Sequence, residues 1–474
     1  MKKIISLFLV FLSNICIAKT TVSGIVNDKN HNLSYYKPFK NFRNFDISSK
    51  IETTENGFFK VELNISNPYF IQFLVNDQPV NLLVEPNDSI FFECTPAQAK
   101  KGSSDWLKIT GNNSIGNAYF NVHYNFYPIS KFNRVRELVD SYSNKSITNF
   151  LSDFDNIQQK ETFWVDSLLN LRQISSTFHK YVSKDIQGII ASEAIGQTEQ
   201  FDIEEKKLQK QSTKASAIQD SIFKKYPPTD SILRFGLYGS FYLSNYYESL
   251  SKSVKIDQGK VICFDTPFIA LASDVEQEYL WGRTIKSVAT FAPTSFDLCK
   301  ASNDYIKKFP ENPFLEYLTE KNFCSPKIID SNEIKIFVPE EKDIFSLLSR
   351  FSERIIFIDM WATWCAPCKL EFRYYDDSLY DFFKKYDIEC VFMSIDKLEL
   401  LDKWEKEVKF FNLKGHNVIL NEELVNSITE LIFDDGIVSL PRYILINEKG
   451  KILTTNAPRP SNPNFKELII NFLK

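Results

Sequence analysis

The sequence has few of the residues that fibrous and low-complexity proteins need. Its 474 residues include only 14 glycines and 19 prolines, while 43% of them are hydrophobic. This composition excludes fibrous and fully disordered chains. Neither sign of charge dominates, because 56 basic side chains balance 60 acidic ones. The sequence therefore gives no sign of the basic surface that nucleic-acid binding requires. Length alone predicts about three domains of roughly 150 residues each.

Long hydrophobic runs are absent beyond the N-terminus. No later segment approaches the roughly 20 apolar residues that a membrane-spanning helix needs. At the N-terminus, Lys2 and Lys3 precede the apolar segment 4–12, and Ala18 provides a small residue for cleavage. This pattern is typical of a secretory signal peptide over residues 1–18. We therefore expect export to the periplasm or cell envelope and no transmembrane segment in the mature chain. Lipid anchoring at Cys16 is the alternative, and the residues preceding it do not favour it.

Cysteines are few and mostly isolated. Removal of Cys16 with the signal peptide leaves seven of the eight cysteines. An odd number in an oxidising compartment leaves at least one thiol unpaired or reactive. Five isolated cysteines are interpreted as small buried hydrophobic side chains, and pairing of two of them, Cys299 with Cys324, stays open. The five are Cys94, Cys263, Cys299, Cys324 and Cys390.

The first part of the mature chain alternates apolar and polar residues with a period of two. This alternation over residues 19–112 predicts an antiparallel β-sandwich. The dipeptide Asn56-Gly57 lies between two strand-like segments, 50–53 and 58–61, and predicts a tight hairpin there. Nothing in this domain suggests a catalytic role.

The pattern then changes twice. Residues 113–327 contain longer amphipathic segments, which predict a helical region whose role the sequence does not indicate. Residues 328–474 alternate strand-like and helix-like segments, which predicts an α/β fold with a mixed sheet. Within it, 354–361 is a continuous apolar run expected of a central strand. A helix is expected over 366–385, a hairpin over 443–453 and a closing helix over 465–473.

The chemistry is concentrated where the central strand meets the next helix. The segment from Trp361 to Cys368 reads Trp-Ala-Thr-Trp-Cys-Ala-Pro-Cys. A helix N-terminus stabilises a thiolate through its unpaired N–H groups and its dipole. We therefore expect Cys365 to be the exposed nucleophile with a lowered pKa, and Cys368 to be the buried resolving thiol. Pro367 suits the first helical turn.

Two other uses of this cysteine pair are disfavoured. A structural zinc site would need two further ligands, but the sequence has no second closely spaced cysteine pair and only four histidines. No metal is therefore expected. A purely structural disulfide is the second alternative. It is disfavoured because two tryptophans beside a cysteine pair at the start of a helix do not need a stabilising disulfide.

The segment 359–368 resembles the active-site segment of the thioredoxin superfamily. Glu371 resembles the glutamate of the exported branch that includes the ResA and TlpA proteins, and Leu440-Pro441 resembles the family's cis-proline loop. The closing segment 457–461 and the β-plus-helical first half resemble multi-domain TlpA-like proteins of the Bacteroides group. The specific resemblance covers roughly the last 145 residues and implies a thioredoxin-like fold there. Arg373 departs from the family pattern, which often has proline at this position.

The resemblance implies roles for two acidic residues. Asp359 interrupts an apolar run, so we expect it to be buried with a raised pKa. The family uses a buried acid at this position to accept the proton of the resolving thiol, here Cys368. Glu371 is one turn beyond Cys368, where its charge opposes thiolate formation. A strand-end turn residue at 359 and an ordinary exposed helix glutamate at 371 remain the alternatives.

The resemblance also implies a substrate-binding surface. If the bond before Pro441 is cis, Leu440 can pair its backbone with an extended substrate peptide beside Cys365. An ordinary turn proline is the alternative. Trp361 and Trp364 are expected to pack around the site, with Trp364 part of the surface that binds substrate.

These features predict an exported thiol–disulfide oxidoreductase. The resemblance implies that it reduces disulfide-containing proteins, in cytochrome c maturation or in envelope redox homeostasis. No dissociable cofactor is needed, but a membrane electron donor has to re-reduce the pair. The alternatives are a disulfide oxidase or isomerase, and a cell-envelope binding protein in which the redox pair is secondary.

Overall fold

The computed structural model describes most of the chain after residue 18. The described residues are 19–28, 31–36, 48–76, 78–98, 105–124, 129–141, 147–207, 213–236, 239–253, 269, 272–294, 297–311, 314–324, 333–351, 353–432 and 439–474. The predicted signal peptide with Cys16, and also Cys263, lie outside them.

The chain divides into two compact units. One comprises Met1–Ile262 and Thr266–Leu280, and the other comprises Cys263–Asp265 and Trp281–Lys474. The predicted border between residues 327 and 328 therefore falls inside the second unit. The end of the predicted helical region belongs to the same unit as the α/β region.

The first unit begins with two four-stranded sheets within the described residues. Their strands are β1 (Lys19–Val26), β2 (Leu33–Tyr36), β3 (Ser48–Lys50), β4 (Phe58–Asn64), β5 (Tyr69–Val75), β6 (Gln78–Val84), β7 (Ser89–Cys94) and β8 (Leu107–Gly111). One sheet has the order β4-β1-β7-β8 and the other β3-β2-β5-β6. A short 3-10 turn, Pro96–Gln98, precedes β8.

Both sheets contribute to one hydrophobic core, because alternate residues of each strand point inward. The rings of Phe59 on β4 and Phe92 on β7 lie 5.9 Å and 5.4 Å from that of Phe73 on β5. The expected purely antiparallel arrangement is wrong for one pair, since β1 and β7 run parallel. A parallel pair needs a long connection, and here the chain between the two strands builds five other strands.

The turn at Asn56-Gly57 is present, but the predicted hairpin is wrong. Gly57 has φ of +74° and donates its N–H to the carbonyl of Thr54 at 2.8 Å, so the chain does reverse. The preceding strand β3 pairs with β2, whereas β4 pairs with β1 in the other sheet. The turn therefore carries the chain from one sheet to the other.

Helices follow the sheets. They are α1 (Ser114–Tyr124), α2 (Ile129–Asp140), α3 (Ile147–Asn170), α4 (Ser176–Lys207), α5 (Thr213–Lys225), α6 (Gly239–Ser253) and α7 (Asp274–Phe291), with a 3-10 turn at Leu233–Phe235. The division between the two units falls within α7. The predicted helical character of this region is confirmed, and its apolar faces share a core with Phe70 and Leu83 of the second sheet.

Helix α1 closes the exposed edge of strand β6. The side-chain amide of Asn117 accepts the N–H of Leu83 at 2.8 Å and donates to its carbonyl at 3.1 Å. One turn later, Asn121 makes the same two bonds with the backbone of Asn81, at 2.9 and 2.7 Å. Both amides are buried. The backbone groups of an edge strand, which would otherwise lack partners, are therefore paired by two side chains.

The second unit continues with two short helices, α8 (Leu298–Lys308) and α9 (Leu315–Lys321). A disulfide joins Cys299 to Cys324, and both sulfur atoms lie near the side-chain amide of Asn303. The interpretation of these two cysteines as buried hydrophobes is therefore wrong: Cys324 is exposed and Cys299 is half-buried. Cys94 and Cys390 are buried free thiols, as expected.

The rest of the second unit is built on a six-stranded mixed sheet of order β14-β13-β10-β11-β12-β9. Its elements are β9 (Ile334–Phe337), α10 (Ile344–Leu348), β10 (Ile355–Trp361), α11 (Ala366–Glu371), α12 (Asp377–Lys385), β11 (Ile388–Ser394), α13 (Leu401–Phe411), β12 (Gly415–Ile419), α14 (Glu422–Ile432), β13 (Arg442–Ile446), β14 (Ile452–Thr454) and α15 (Phe465–Leu473). Short 3-10 turns occur at Ser349–Phe351, Phe372–Tyr374 and Leu398–Leu400.

The predicted central strand and final hairpin are confirmed. Strand β10 lies between β11, to which it is parallel, and β13, to which it is antiparallel. Strands β13 and β14 form the hairpin. None of the helices in the described part of the chain is long and apolar enough to cross a membrane.

Candidate active site

The cysteine pair lies where β10 ends and α11 begins. Cys365 is the residue that caps the N-terminus of α11, and Cys368 lies in its first turn. The two sulfurs form a disulfide. The backbone N–H of Cys368 points at the sulfur of Cys365, with N and Sγ 3.2 Å apart. This N–H is one of the unpaired donors at a helix start, so it is placed to stabilise a thiolate on Cys365 when the disulfide is reduced.

The two sulfurs differ in exposure, but less than expected. Cys368 is fully buried, and Cys365 is 4% exposed. The expectation of an exposed Cys365 is therefore wrong for this disulfide-bonded state. Its side chain turns back over the first turn of the helix to reach Cys368. Cys365 is nevertheless the more exposed of the two residues.

Asp359 is buried on the face of β10 that packs into the same core as the cysteine pair. It is fully shielded from solvent and lies on β10 in the same alternating row as Phe357 and Trp361, whose core cluster includes both cysteines. Its Oδ2 accepts a hydrogen bond from the hydroxyl of Tyr375 at 2.7 Å. Its Oδ1 has no hydrogen-bond partner among the described residues. Burial raises the pKa of Asp359 well above its ordinary value, and the charge of Glu371 adds to the rise.

Glu371 is held by the closing segment of the chain. Its two carboxylate oxygens accept the backbone N–H of Ser461 at 3.0 Å and the Ser461 hydroxyl at 2.9 Å. The guanidinium of Arg459 lies 4.0 Å from the same carboxylate. Glu371 is only 7% exposed, which excludes the alternative of an ordinary exposed helix glutamate. The segment 457–461 therefore contacts Glu371. Both were identified in the sequence by their resemblance to proteins of the ResA and TlpA kind.

The remaining predicted site residues lie in the same unit. The peptide bond between Leu440 and Pro441 is cis, and Pro441 leads directly into β13 beside β10. The two tryptophans differ sharply. Trp361 is fully buried against Phe372, whereas Trp364 is 63% exposed immediately before Cys365. Only Trp364 therefore presents an apolar surface to solvent.

The expected continuous helix over 366–385 is broken. Helix α11 ends at Glu371, a 3-10 turn covers Phe372–Tyr374, and α12 starts at Asp377. Asp376 caps α12 by accepting the N–H of Leu379 at 2.9 Å. The family's proline is therefore not required for the break, since Arg373 occupies its place here. The break leaves Tyr375 outside both helices, with its side chain directed inward to Asp359.

Sequence reasoning missed a second buried acid, Asp396, which fixes the active-site loop. Its carboxylate accepts the backbone N–H of Thr363 at 2.7 Å and the Thr363 hydroxyl at 2.9 Å. It also accepts the hydroxyl of Ser394 at 2.7 Å. Thr363 lies between the two tryptophans of the motif, so Asp396 holds the backbone that leads into Cys365. The only sequence signal was an acid directly after a buried strand.

Sequence reasoning also missed a buried ion pair beside Cys368. The ammonium of Lys369 lies 2.8 Å from the carboxylate of Glu407 on α13 and donates to the carbonyl of Phe291 at 2.7 Å. Both charged side chains are buried. Burial lowers the pKa of Lys369 and raises that of Glu407, while their mutual attraction opposes both changes. The pair ties α11 to α13 and to the end of α7.

Residues 338–469 match the family model described as Redoxin. Two curated relatives are each named thiol-disulfide oxidoreductase ResA. The protein from Bacillus thuringiensis is 29% identical over 106 residues, which cover 22% of this chain and 56% of the relative. The protein from Bacillus subtilis is 32% identical over 108 residues, which cover 22% of this chain and 54% of the relative. The chain thus spans about half the length of the curated relatives it matches.

One solved structure is the thioredoxin domain of a thiol-disulfide oxidoreductase from Bacteroides vulgatus. It is 22% identical to this chain, with a TM-score of 0.23, and the match covers 27% of this chain and 84% of that domain.

Proposed function

We propose that the C-terminal region of this chain is a thioredoxin-like oxidoreductase of the TlpA/ResA kind, and that the protein reduces disulfides of other proteins through Cys365 and Cys368. The observation that carries the proposal is the disulfide between two cysteines at the start of α11, with a buried acid on the strand that leads to them. A purely structural disulfide would not need a solvent-shielded carboxyl group on that strand.

The proposed reaction starts from the dithiol. The thiolate of Cys365 attacks one sulfur of the substrate disulfide, a mixed disulfide forms, and the other substrate sulfur leaves as a thiolate that takes up a proton. Cys368 then gives its proton to Asp359 and attacks the Cys365 sulfur. The second substrate thiol is released, and the Cys365–Cys368 disulfide remains. Two electrons have passed to the substrate.

The buried acids have opposite proposed effects on Cys368. Asp359 removes the proton, and its raised pKa makes it a stronger base than an ordinary carboxylate. Glu371 lies one turn beyond Cys368, so its charge opposes early ionisation of that thiol. Cys368 would then become nucleophilic mainly when the mixed disulfide is in place.

The proposed substrate surface combines Trp364, Leu440 and Pro441. Exposed Trp364 provides apolar contact next to Cys365. The backbone of Leu440, which precedes the cis bond, would pair with an extended peptide segment of the substrate. Protein substrates with an extended segment around the disulfide fit this surface.

The setting of the reaction is also part of the proposal. The N-terminal segment 1–18 would direct export to the periplasm or cell envelope, and a membrane electron donor would restore the dithiol. Cytochrome c maturation and envelope redox homeostasis are the candidate processes. The first two sheets would form a β-sandwich at 19–112, followed by a helical region at 113–327 and the redox domain at 328–474.

The direction of electron flow can be measured. A Cys365–Cys368 reduction potential of about −270 mV favours a reductase, whereas a value of about −120 mV favours an oxidase. Titration against glutathione or dithiothreitol, with the thiols counted by alkylation, gives this value.

Mixed-disulfide trapping tests the proposed reaction. In Cys368→Ala, Cys365 keeps its N–H donor but has no partner to release the substrate. Covalent complexes with substrate proteins should therefore accumulate on a non-reducing gel and disappear when a small thiol is added. Cys365→Ala should trap almost nothing, because Cys368 is fully buried.

The buried free thiol Cys390 supplies the matched control. Cys390→Ala leaves the pair intact and should trap no more than the unmodified protein. Equal trapping by Cys365→Ala and Cys368→Ala would mean that the roles of the two sulfurs are reversed. Trapping by neither variant would contradict thiol–disulfide exchange itself.

A further inference from the structure

Tyr375 makes the one hydrogen bond that the Asp359 carboxyl group receives from the described residues. Its hydroxyl oxygen lies 2.7 Å from Asp359 Oδ2, and both side chains are buried. Tyr375 lies in the break between α11 and α12, outside both helices.

The ring of Tyr375 is fixed by aromatic neighbours. Its centroid lies 5.0 Å from that of Phe392 on β11, 6.3 Å from Phe372 and 6.0 Å from Tyr380. A ring packed on three sides has little freedom to turn its hydroxyl elsewhere. The hydroxyl is therefore directed at the carboxyl group in advance of the reaction.

We propose that Tyr375 is a positioning residue that keeps Asp359 able to take the proton of Cys368 near neutral pH. This inference rests on the proposed thiol–disulfide exchange and adds to it a residue that acts through Asp359. A hydrogen bond donated to a carboxylate stabilises its charged form, which is the form that accepts a proton.

The other groups that the described residues place near Asp359 either favour its protonated form or donate no hydrogen bond to its charged form. Burial raises the pKa of Asp359, and the charge of Glu371 on α11 raises it further, whereas the Tyr375 hydrogen bond lowers it. On β13, Tyr443 has a buried hydroxyl with no hydrogen-bond partner among the described residues. Burial raises the pKa of Cys390 on β11, so this thiol stays neutral. Tyr380 on α12 accepts the N–H of Lys414 instead.

Tyr375 neither gives nor takes a proton in this step. The Cys368 proton moves to Asp359, the Cys368 sulfur bonds to the Cys365 sulfur, and the substrate sulfur leaves with the bonding electron pair. Tyr375 keeps its own proton throughout, because burial raises its pKa and the neighbouring Asp359 charge raises it further. Without the hydroxyl, Asp359 holds its proton more tightly and is less often available as a base at neutral pH.

The test follows the resolving step alone. Cys365 of the reduced protein is loaded with 5-thio-2-nitrobenzoate as a mixed disulfide, and attack by Cys368 releases the coloured thiol. The release rate is recorded by stopped flow from acid to alkaline pH for the wild type, Tyr375→Phe and Tyr380→Phe. Tyr380→Phe is the matched control, because it also removes a buried tyrosine hydroxyl but none that touches Asp359.

We expect Tyr375→Phe to move the midpoint of the rate profile to higher pH by about one unit, with a rate about tenfold lower below the midpoint. The alkaline plateau should stay close to that of the wild type. Tyr380→Phe should leave the midpoint unchanged. In Asp359→Asn, which lacks the base, the release rate should follow ionisation of the Cys368 thiol itself and rise only at alkaline pH. If Tyr375→Phe does not fold, Tyr375→Met removes the hydroxyl from a side chain that adapts to the cavity, and the same shift is expected.

An unchanged midpoint in the folded Tyr375 variant, or an equal shift in Tyr380→Phe, would overturn the role of Tyr375. A uniform rate loss across pH would overturn it too, since that outcome means only disturbed packing. Failure of Cys368 to release the coloured thiol in the wild type would instead contradict the proposed function. The two failures are therefore distinguishable.

Discussion

Each of the two units buries a carboxyl group, but the pKa is lowered in the first unit and raised in the second. In the first unit, Glu276 on α7 accepts the N–H of Ser273 at 3.0 Å, the hydroxyl of Tyr247 at 2.8 Å and the guanidinium of Arg234 at 3.1 Å. Burial opposes the charge of Glu276, but these donors outweigh it and the pKa is lowered. In the second unit, Asp359 has a single hydroxyl donor and its pKa is raised.

We interpret Glu276 as a structural acid and, within the proposed mechanism, Asp359 as the acid that exchanges a proton. A carboxylate with several donors is stabilised in its charged form and joins the elements around it. A buried carboxyl group with one donor is destabilised in its charged form, so it holds a proton more readily than an ordinary carboxyl group does. Burial raises the pKa of Asp359 more than its single donor lowers it, whereas the donors of Glu276 outweigh its burial.

The largest effect is expected from removing the structural acid. Glu276→Ala removes the carboxylate that the mostly buried guanidinium of Arg234 contacts at 3.1 Å, and it also removes the acceptor of the Ser273 N–H and the Tyr247 hydroxyl. Breaking a buried ion pair typically costs about 3–5 kcal/mol, because one charge is left uncompensated. The free energy of unfolding, from denaturant titration, should fall by roughly 3 kcal/mol. Asp220→Ala, at an exposed position on α5, should change it by less than about 0.5 kcal/mol. Equal values for the two variants would contradict a structural role for Glu276.

Replacing Asp359 should change the free energy of unfolding in a way that depends on pH, and the change becomes more favourable as pH rises. A raised pKa means that folded Asp359 binds its proton more tightly than unfolded Asp359 does. The wild type therefore loses stability as pH rises from the unfolded pKa of about 3.9 through the folded pKa, by up to ~1.4 kcal/mol for each unit between them. Asp359→Asn does not titrate. Its stability relative to wild type should be least favourable in acid and should rise with pH across that window.

Denaturant unfolding of the disulfide-bonded protein at a series of pH values measures this dependence. Asp381→Asn, at an exposed position on α12, is the control and should show a difference from wild type that does not vary over that range. A difference for Asp359→Asn that is the same at every pH would mean that Asp359 does not titrate within it.

The smallest effect is expected at an acid that keeps some of its donors. Ser461→Ala removes one hydroxyl bond to Glu371 and leaves the backbone N–H bond in place. Loss of such a bond costs about 1 kcal/mol, and thermal unfolding should reveal it. Ser461→Thr keeps a hydroxyl and should retain most of the stability. A similar loss in both variants would show that packing, not the hydrogen bond, is responsible.

The features predicted correctly from the sequence are those with a local signal. Strand β10 is a continuous apolar run, and the interruption by Asp359 within that run sufficed to predict its burial. The cysteine pair is a local motif that opens a helix. The turn at Gly57 was also local and is present, but the partner strands of that turn depend on the whole sheet order, so the hairpin was assigned wrongly.

The features that the sequence did not reveal depend on contacts between distant segments. Tyr375, which contacts Asp359, lies in the break between α11 and α12, and helical periodicity across 366–385 concealed that break. Asp396 is 33 residues from Thr363, so no spacing rule connects them. The pairing of Lys369 with Glu407 likewise joins two helices. Lysine and glutamate are rarely buried, so their sequence positions predict exposed surfaces.

The two asparagines of α1 have a consequence for how the first unit meets other chains. An open edge strand is a template on which another polypeptide can add a strand, and this is a common route to aggregation. At Asn81 and Leu83 of β6, that template is already occupied by the amides of Asn117 and Asn121. Any chain that added here would have to displace α1 and replace four hydrogen bonds. The two asparagines thereby keep this sheet edge from capturing another polypeptide.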